Sequence, residues 1–213
     1  MILKQVGAFD CVPEEDLLHR IDRLRHLMTA AGIDFALMLQ NVDRFYFTGT
    51  MQKGMVVVPV DGEPLLFVEK GTERAAMETP LPFTVVRNDR EIHRILSDLH
   101  ILKGKAGLEL DVLPVAIFER LKRIIGFDGY ADVSETIKEV RAIKSPFELA
   151  QIRKSGEMLT HVFAKARDEI REGRTELEIE AALMVESRKM GHQGFLRMRG
   201  LNQEMMTMTV QAG

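Results

Sequence analysis

Apolar positions in the first two thirds of the chain change rhythm every few residues. Leu17, Ile21, Leu24, Met28 and Ala31 recur at steps of three and four, which predicts an amphipathic helix. Pro13 opens it, Glu14, Glu15 and Asp16 suit its positive end, and Gly32 closes it. Ile33 to Leu39 is a mostly apolar run, as expected of a strand covered on both faces. Gln40 to Gly49 then reads as a loop leaving the C-terminal end of that strand. Gly54–Val60 and Leu65–Glu69 flank Asp61-Gly62, a hairpin signal. A short helix over Gly71–Glu78, stopped by Pro80 and Pro82, precedes a strand over Phe83–Arg87. Ile92, Ile95, Leu96, Leu99 and Leu102 predict another helix, and Lys105–Leu110 another strand. Pro114 opens a helix to Ile125 with Val115, Phe118, Leu121 and Ile125 on its buried side. Asp132-Val133 reads as a last short strand or turn, and Ser134 starts a further helix. Strands interleaved with helices, with one hairpin, imply an α/β domain built on a mixed sheet.

The rhythm lengthens after Ser145-Pro146-Phe147-Glu148. Ser145 can cap, proline fits the first helical position, and Glu148 completes a capping box. Leu149, Ile152, Gly156, Leu159, Phe163, Ala166 and Ile170 form a stripe expected to be buried along one long helix. After Gly173, Thr175-Glu-Leu-Glu178 is a second capping box, and Leu177, Ala181, Met184 and Met190 extend the theme to Gly191. Phe195–Met198 and Met205–Val210 read as strands, and two strands do not stand alone in water. The expected organisation is a domain over 1–133, a connecting helix over 134–145, and an incomplete second domain over 146–213.

Charge and composition narrow the function classes. The chain has 213 residues, 29 basic and 32 acidic, interspersed, for a net charge of −3. No basic face suggests nucleic acid. The single cysteine, Cys11, cannot form an internal disulfide, which fits a reducing compartment. Met1–Val6 lacks the apolar run of a signal peptide, and no stretch is apolar enough to cross a bilayer, so a cytoplasmic protein without membrane partners is expected.

Candidate chemistry is sparse. His19 and His26, and likewise His93 and His100, lie seven positions apart, about 10.5 Å along a helix and too far to chelate one ion. The Gln40–Gly49 segment, with Asn41 and Tyr46, is the first domain's functional candidate, because open α/β sheets place ligands at strand C-termini, and an aromatic-anchored connector is the alternative. In the second domain, His192, Arg197, Arg199 and Asn202 cluster between or beside the expected strands, and either arginine could grip a carboxylate with two hydrogen bonds. Both arginines lying on a solvated strand face is the alternative.

Arg141-Ala-Ile-Lys-Ser-Pro-Phe-Glu-Leu-Ala-Gln-Ile-Arg-Lys-Ser155 resembles the junction of the creatinase, prolidase and Xaa-Pro aminopeptidase superfamily. Gly173-Arg-Thr-Glu-Leu-Glu-Ile-Glu-Ala181 resembles a turn of its catalytic domain, and Asn41-Val-Asp-Arg-Phe-Tyr-Phe-Thr-Gly49 a signature of its N-terminal domain. The resemblance implies a creatinase-type, ribonuclease H-like α/β domain followed by the first helices and strands of an α+β pita-bread domain. It implies hydrolysis of the bond before proline, by water held on two divalent metals (Mn, Co, Zn or Fe) in a full-length parent. It further implies a peptide substrate with proline second, a homodimer, and an Asn41–Gly49 loop that limits substrate length in the neighbouring protomer. His192 to Glu204 would border the substrate cleft. The family's metal ligands, two Asp, one His and two Glu, lie beyond the corresponding strands. After Glu186 this chain offers only Glu204 and His192, so by itself it is expected to be inactive. A creatinase-like hydrolase or lyase, and a metal-free peptide-binding module, share the scaffold and remain alternatives.

Overall fold

A computed structural model describes residues 11–200, 204–206 and 210. The chain divides into two compact units, Met1–Ile143 and Lys144–Gly213.

In the first unit, α1 (Glu14–Ala30) buries Leu17, Ile21, Leu24 and Met28 of the predicted stripe, together with Arg20, while Ala31 is exposed just past its end. Its chain turns at Gly32, in the left-handed conformation, into β1 (Phe35–Met38), whose four residues are all buried. A helix follows at once where a loop was expected. In α2 (Asn41–Thr48), the Gln40 side chain accepts from the N–H groups of Val42 and Asp43, and left-handed Gly49 ends the helix. The amide of Gln40 thus takes the capping part that Ser or Asp usually plays. β2 (Gly54–Pro59) and β3 (Leu65–Val68) form the expected hairpin, with left-handed Gly62 in its turn. α3 (Thr72–Glu78), β4 (Phe83–Val85), α4 (Asp89–Asp98), β5 (Lys105–Leu108), α5 (Val115–Ile124) and β6 (Gly129–Asp132) complete the alternation.

The six strands form one mixed sheet in the order β4-β3-β2-β1-β5-β6. β1 pairs antiparallel with β2 on one side and parallel with β5 on the other. One core cluster fills a face of this sheet, from Phe35, Leu37, Val57 and Phe67 to Ile92 and Leu96 of α4 and Leu121 of α5. Val115 is a correction. Expected to be buried, it is 75% exposed, because the helix turns Leu121 rather than its first residue to the core. Tyr130 is exposed on the edge strand β6, with Phe118 against it at 4.9 Å between ring centroids. The helix expected to connect the two domains, α6 (Ser134–Ala142), packs on α1 within the first unit, with Ile137 and Val140 fully buried.

In the second unit, α7 (Pro146–Glu169) and α8 (Glu176–Lys189) begin with the two capping boxes the sequence predicts, at Ser145/Glu148 and Thr175/Glu178. They pack through Val162, Ile179 and Leu183. The predicted stripe on α7 is not buried: Leu149, Ile152, Leu159, Phe163 and Ile170 are all exposed, as are Leu177 and Met190 of the second stripe. The described residues of this unit supply only α8 and a two-stranded sheet, β7 (Phe195–Arg197) with β8 (Glu204–Met206), and α8 meets α7 along the flank marked by Val162. His161, which has no partner near it in sequence, lies 3.5 Å from Glu186 of α8.

Candidate functional site

The sheet order reverses at β1. The chain leaves it toward β2, β3 and β4, then returns on the other side as β5 and β6. The C-terminal ends of parallel β1 and β5 therefore border the crevice where α/β sheets of this kind take ligands. Three ionisable side chains are buried here, an arrangement that stands only when each is paired, hydrogen-bonded or neutralised.

Glu109, the residue after β5, is 1% exposed, and its Oε2 accepts from the N–H groups of Leu39 (2.8 Å) and Gln40 (3.0 Å). It thereby ties β5 to the start of α2. Asp43, in the first turn of α2, is fully buried and pairs with Arg141 of α6 at 3.1 Å. Its carboxyl also lies within hydrogen-bonding reach of Glu109. Burial, then the Asp43 hydrogen bond and charge, push the Glu109 carboxyl up to about 8, against the pull of the two backbone donors. Arg44 is the third. Its guanidinium donates to the carbonyls of Gln52 (2.8 Å), Gly54 (2.9 Å) and Met51 (3.2 Å) and to Asn41 Oδ1. Burial lowers its pKa, opposed by the charges of Glu109 and Glu69.

Tyr46, one turn further along α2, lies inside the unit. Arg20 of α1 stacks over its ring at 4.3 Å and donates to its carbonyl at 2.7 Å. The Arg141 guanidinium lies 5.7 Å from the centroid of the same ring, and the Tyr46 hydroxyl donates to the Val140 carbonyl at 3.4 Å. One aromatic ring thus joins α1, α2 and α6. The residue that α2 turns to solvent is Phe45.

Beside Glu109 a cleft of about 200 Å³ opens between Leu39, Gln40, Val112, Leu113, Ile117 and Arg120. Its walls are mainly apolar, and the Glu109 carboxyl at its base is turned inward, toward the start of α2.

The structure brings Asn41 and Tyr46 together on α2, one bonded to Arg44 and the other held between arginines. In the second unit, the half-buried His192 accepts from the Gly194 N–H through Nδ1 at 3.1 Å, and its backbone N–H donates to the Ser187 carbonyl at 3.0 Å. Arg197 pairs with Glu204 across β7 and β8 through the backbone register, Arg199 is half-buried beyond the strand, and Asn202 lies outside the described residues. Sequence reasoning missed the parts played by Arg20, Asp43, Arg44 and Glu109. One signal was available: Arg20 occupies a stripe position between Leu17 and Leu24, where only a paired charge is tolerated.

The two-metal centre that the resemblance implies does not fit the donors present. Among the described residues there is no group of three or more His, Cys, Asp or Glu side chains able to hold a metal ion. No helix among them is long and apolar enough to cross a membrane.

The mixed sheet and its crevice define an α/β domain, and residues 20–143 match the Creatinase/Prolidase N-terminal domain. The chain belongs to that family. Among curated relatives, it is 30% identical to the Xaa-Pro dipeptidase of Pyrococcus furiosus over 164 residues, covering 76% of this chain and 46% of that protein. With the Pyrococcus horikoshii Xaa-Pro dipeptidase the identity is 26%, covering 76% and 45%. Among solved structures, a prolidase from Pyrococcus furiosus superimposes with a TM-score of 0.70 at 27% identity, over 81% of this chain and 54% of that one. An Xaa-Pro dipeptidase from Bacillus anthracis does so with a TM-score of 0.74 at 23% identity, over 83% and 50%, a likeness of fold. The chain spans about half the length of the curated relatives it matches.

Proposed function

We propose that this chain is the N-terminal domain and the opening of the catalytic domain of a metal-dependent Xaa-Pro dipeptidase or aminopeptidase. The observation that carries the reading is the alignment with the Pyrococcus furiosus Xaa-Pro dipeptidase, which takes in 76% of this chain but 46% of that protein. The remaining share of such a parent would supply the ligands for two divalent ions, Mn, Co, Zn or Fe. The 213 residues alone are then inactive, and the parent hydrolyses the bond before proline in a short peptide. The division into a domain over 1–133, a linker over 134–145 and a catalytic portion from 146 belongs to the same reading, as do a cytoplasmic location and a homodimer.

The exposed apolar stripe of α7 supports a larger catalytic domain, because Leu159, Phe163 and Ile170 would be covered by its further layers. In this reading His192, Arg197, Arg199 and Asn202 border the substrate cleft. Asn41 and Tyr46 act by fixing α2, whose exposed Phe45 limits peptide length in the neighbouring protomer. The test is an assay of full-length protein, with manganese or cobalt, on Xaa-Pro dipeptides and Xaa-Pro-Yaa peptides. Turnover of either class is expected, with none from the 213-residue chain. Phe45→Ala should change peptide-length preference without changing metal content. Absence of turnover with every divalent metal tried overturns the reading.

A further inference from the structure

We propose that Glu109 and Asp43 share one proton in the folded protein at neutral pH, and that this proton latches the start of α2 onto the end of β5. The inference concerns the first unit alone and does not depend on the proposed activity.

The geometry leaves few alternatives. Glu109 is almost wholly buried, and its Oε2 is filled by two backbone N–H groups, those of Leu39 and Gln40. Its Oε1 is buried and has no N–H or O–H donor from another residue. The side chain within hydrogen-bonding reach of this carboxyl is that of Asp43, which is itself fully buried. Two carboxylate oxygens cannot satisfy one another, since both only accept when ionised. A proton on Glu109 turns one of them into a donor and gives the pair a hydrogen bond. Asp43 keeps its ion pair with Arg141 on its other side. The pattern is that of two acids sharing a site, where their mutual repulsion keeps a proton on one of them.

The surrounding charges do not replace that proton. From α2, Arg44 directs its two terminal nitrogens to the carbonyls of Gln52, Gly54 and Met51 and to Asn41, and its buried Nε makes no hydrogen bond. From α6, Arg141 pairs with Asp43, and Lys138 lies with Asp111 and Glu135. From α5, Arg120 at the cleft lies 3.2 Å from Asp89. Glu69, after β3, pairs with Lys53. The N-terminal end of α2 favours an anion, but Asp43 already sits in its first turn.

Loss of the proton to solvent places two negative charges against each other at one helix start. The first turn of α2 then has to move, and with it the contact of Asp43 with Arg141. The sign follows from linkage. Glu109 holds its proton more tightly folded than unfolded, so its contribution to stability is fully present below the unfolded carboxyl range and is lost as pH rises through about 8.

The test uses the whole chain. Glutamate side-chain carboxyl carbons are labelled and their NMR shifts followed with pH, in wild type, Glu109→Gln and Asp43→Asn. Amide exchange of residues 39–48, corrected for its intrinsic pH dependence, is followed in parallel. The expected result is one wild-type glutamate titrating more than about two units above the ordinary range, absent from Glu109→Gln. In Asp43→Asn that titration should fall by at least about one unit. Exchange over residues 39–48 should accelerate through the same pH interval in wild type. A wild-type protein in which every glutamate titrates in the ordinary range overturns the proposal, whether or not the variants fold. So does an α2 whose exchange is indifferent to the titration, or a midpoint unmoved in a folded Asp43→Asn.

Discussion

Arg20 occupies a position on α1 where a leucine would satisfy the pattern, yet it is the residue on which α2 rests. Its guanidinium bonds Asp16 in its own helix at 2.5 Å, donates to the Tyr46 carbonyl, and lies over the Tyr46 ring. Planarity makes all three contacts possible at once, so lysine is a poor substitute. Tyr46→Ala should cost about 3–5 kcal/mol, by analogy with other buried aromatic truncations, since Arg20 and Arg141 both lose the face they cover. Denaturant unfolding of the whole chain checks it. Tyr46→Phe, which removes only a 3.4 Å hydrogen bond, should cost about 1 kcal/mol or less. The sequence made Asn41 and Tyr46 visible as a motif but gave no hint that Tyr46 faces inward. Three arginines and two acids needed partners from four separate elements, and no local pattern links residues 20, 43, 109 and 141.

At the level of elements, ends were easier to read than faces. Both capping boxes form as the residues predict, because a cap depends on four neighbouring positions only. Ser145→Ala should therefore lower the stability of the second unit by about 1 kcal/mol while leaving the first unit's unfolding unchanged. Circular dichroism with probes in each unit measures both. The helix at Asn41–Thr48 escaped notice because only Leu39 and Gln40 separate it from β1 and because a glutamine caps it. The stripe on α7 was recognised as apolar, but periodicity cannot say what covers a face. Within β2, Gly54 shows a requirement invisible to patterning. A Cβ there would run into the carbonyl of Phe67 on the paired strand. Gly54→Ala should thus part the β2–β3 hairpin, costing about 2 kcal/mol or more, and hydrogen exchange at Val56 and Phe67 would report it.

On the scale of the molecule, the alternation of strands and helices was enough to give a mixed α/β sheet. The division into two units lies close to the predicted junction, though α6 packs with the first. The units differ in what they bury. The first contains an extended core from Phe35 to Phe127, whereas three residues form the core cluster described in the second. Heating or denaturant should consequently produce two transitions, with the second unit opening first. Differential scanning calorimetry with a probe in α8 tests this, and a single coincident transition would contradict it. A dye that fluoresces on apolar surface should bind the native chain at α7, and Phe163→Ser with Leu159→Gln should weaken that signal.

The sheet order also sets a timetable for folding. β1, β2 and β3 are neighbours in sequence, so their antiparallel ribbon can assemble by closing short loops. β5 joins β1 much later along the chain, and the contact that fastens it, between Glu109 and Leu39, links residues 70 positions apart. Closing that loop is costly before its reward is available, which makes the β1–β5 seam the natural rate-limiting event. During synthesis a ribosome would finish the ribbon well before the strand that completes the crevice has been made. Until then the exposed edge of β1 is open to another chain, and crowding of nascent chains would be most hazardous in that interval.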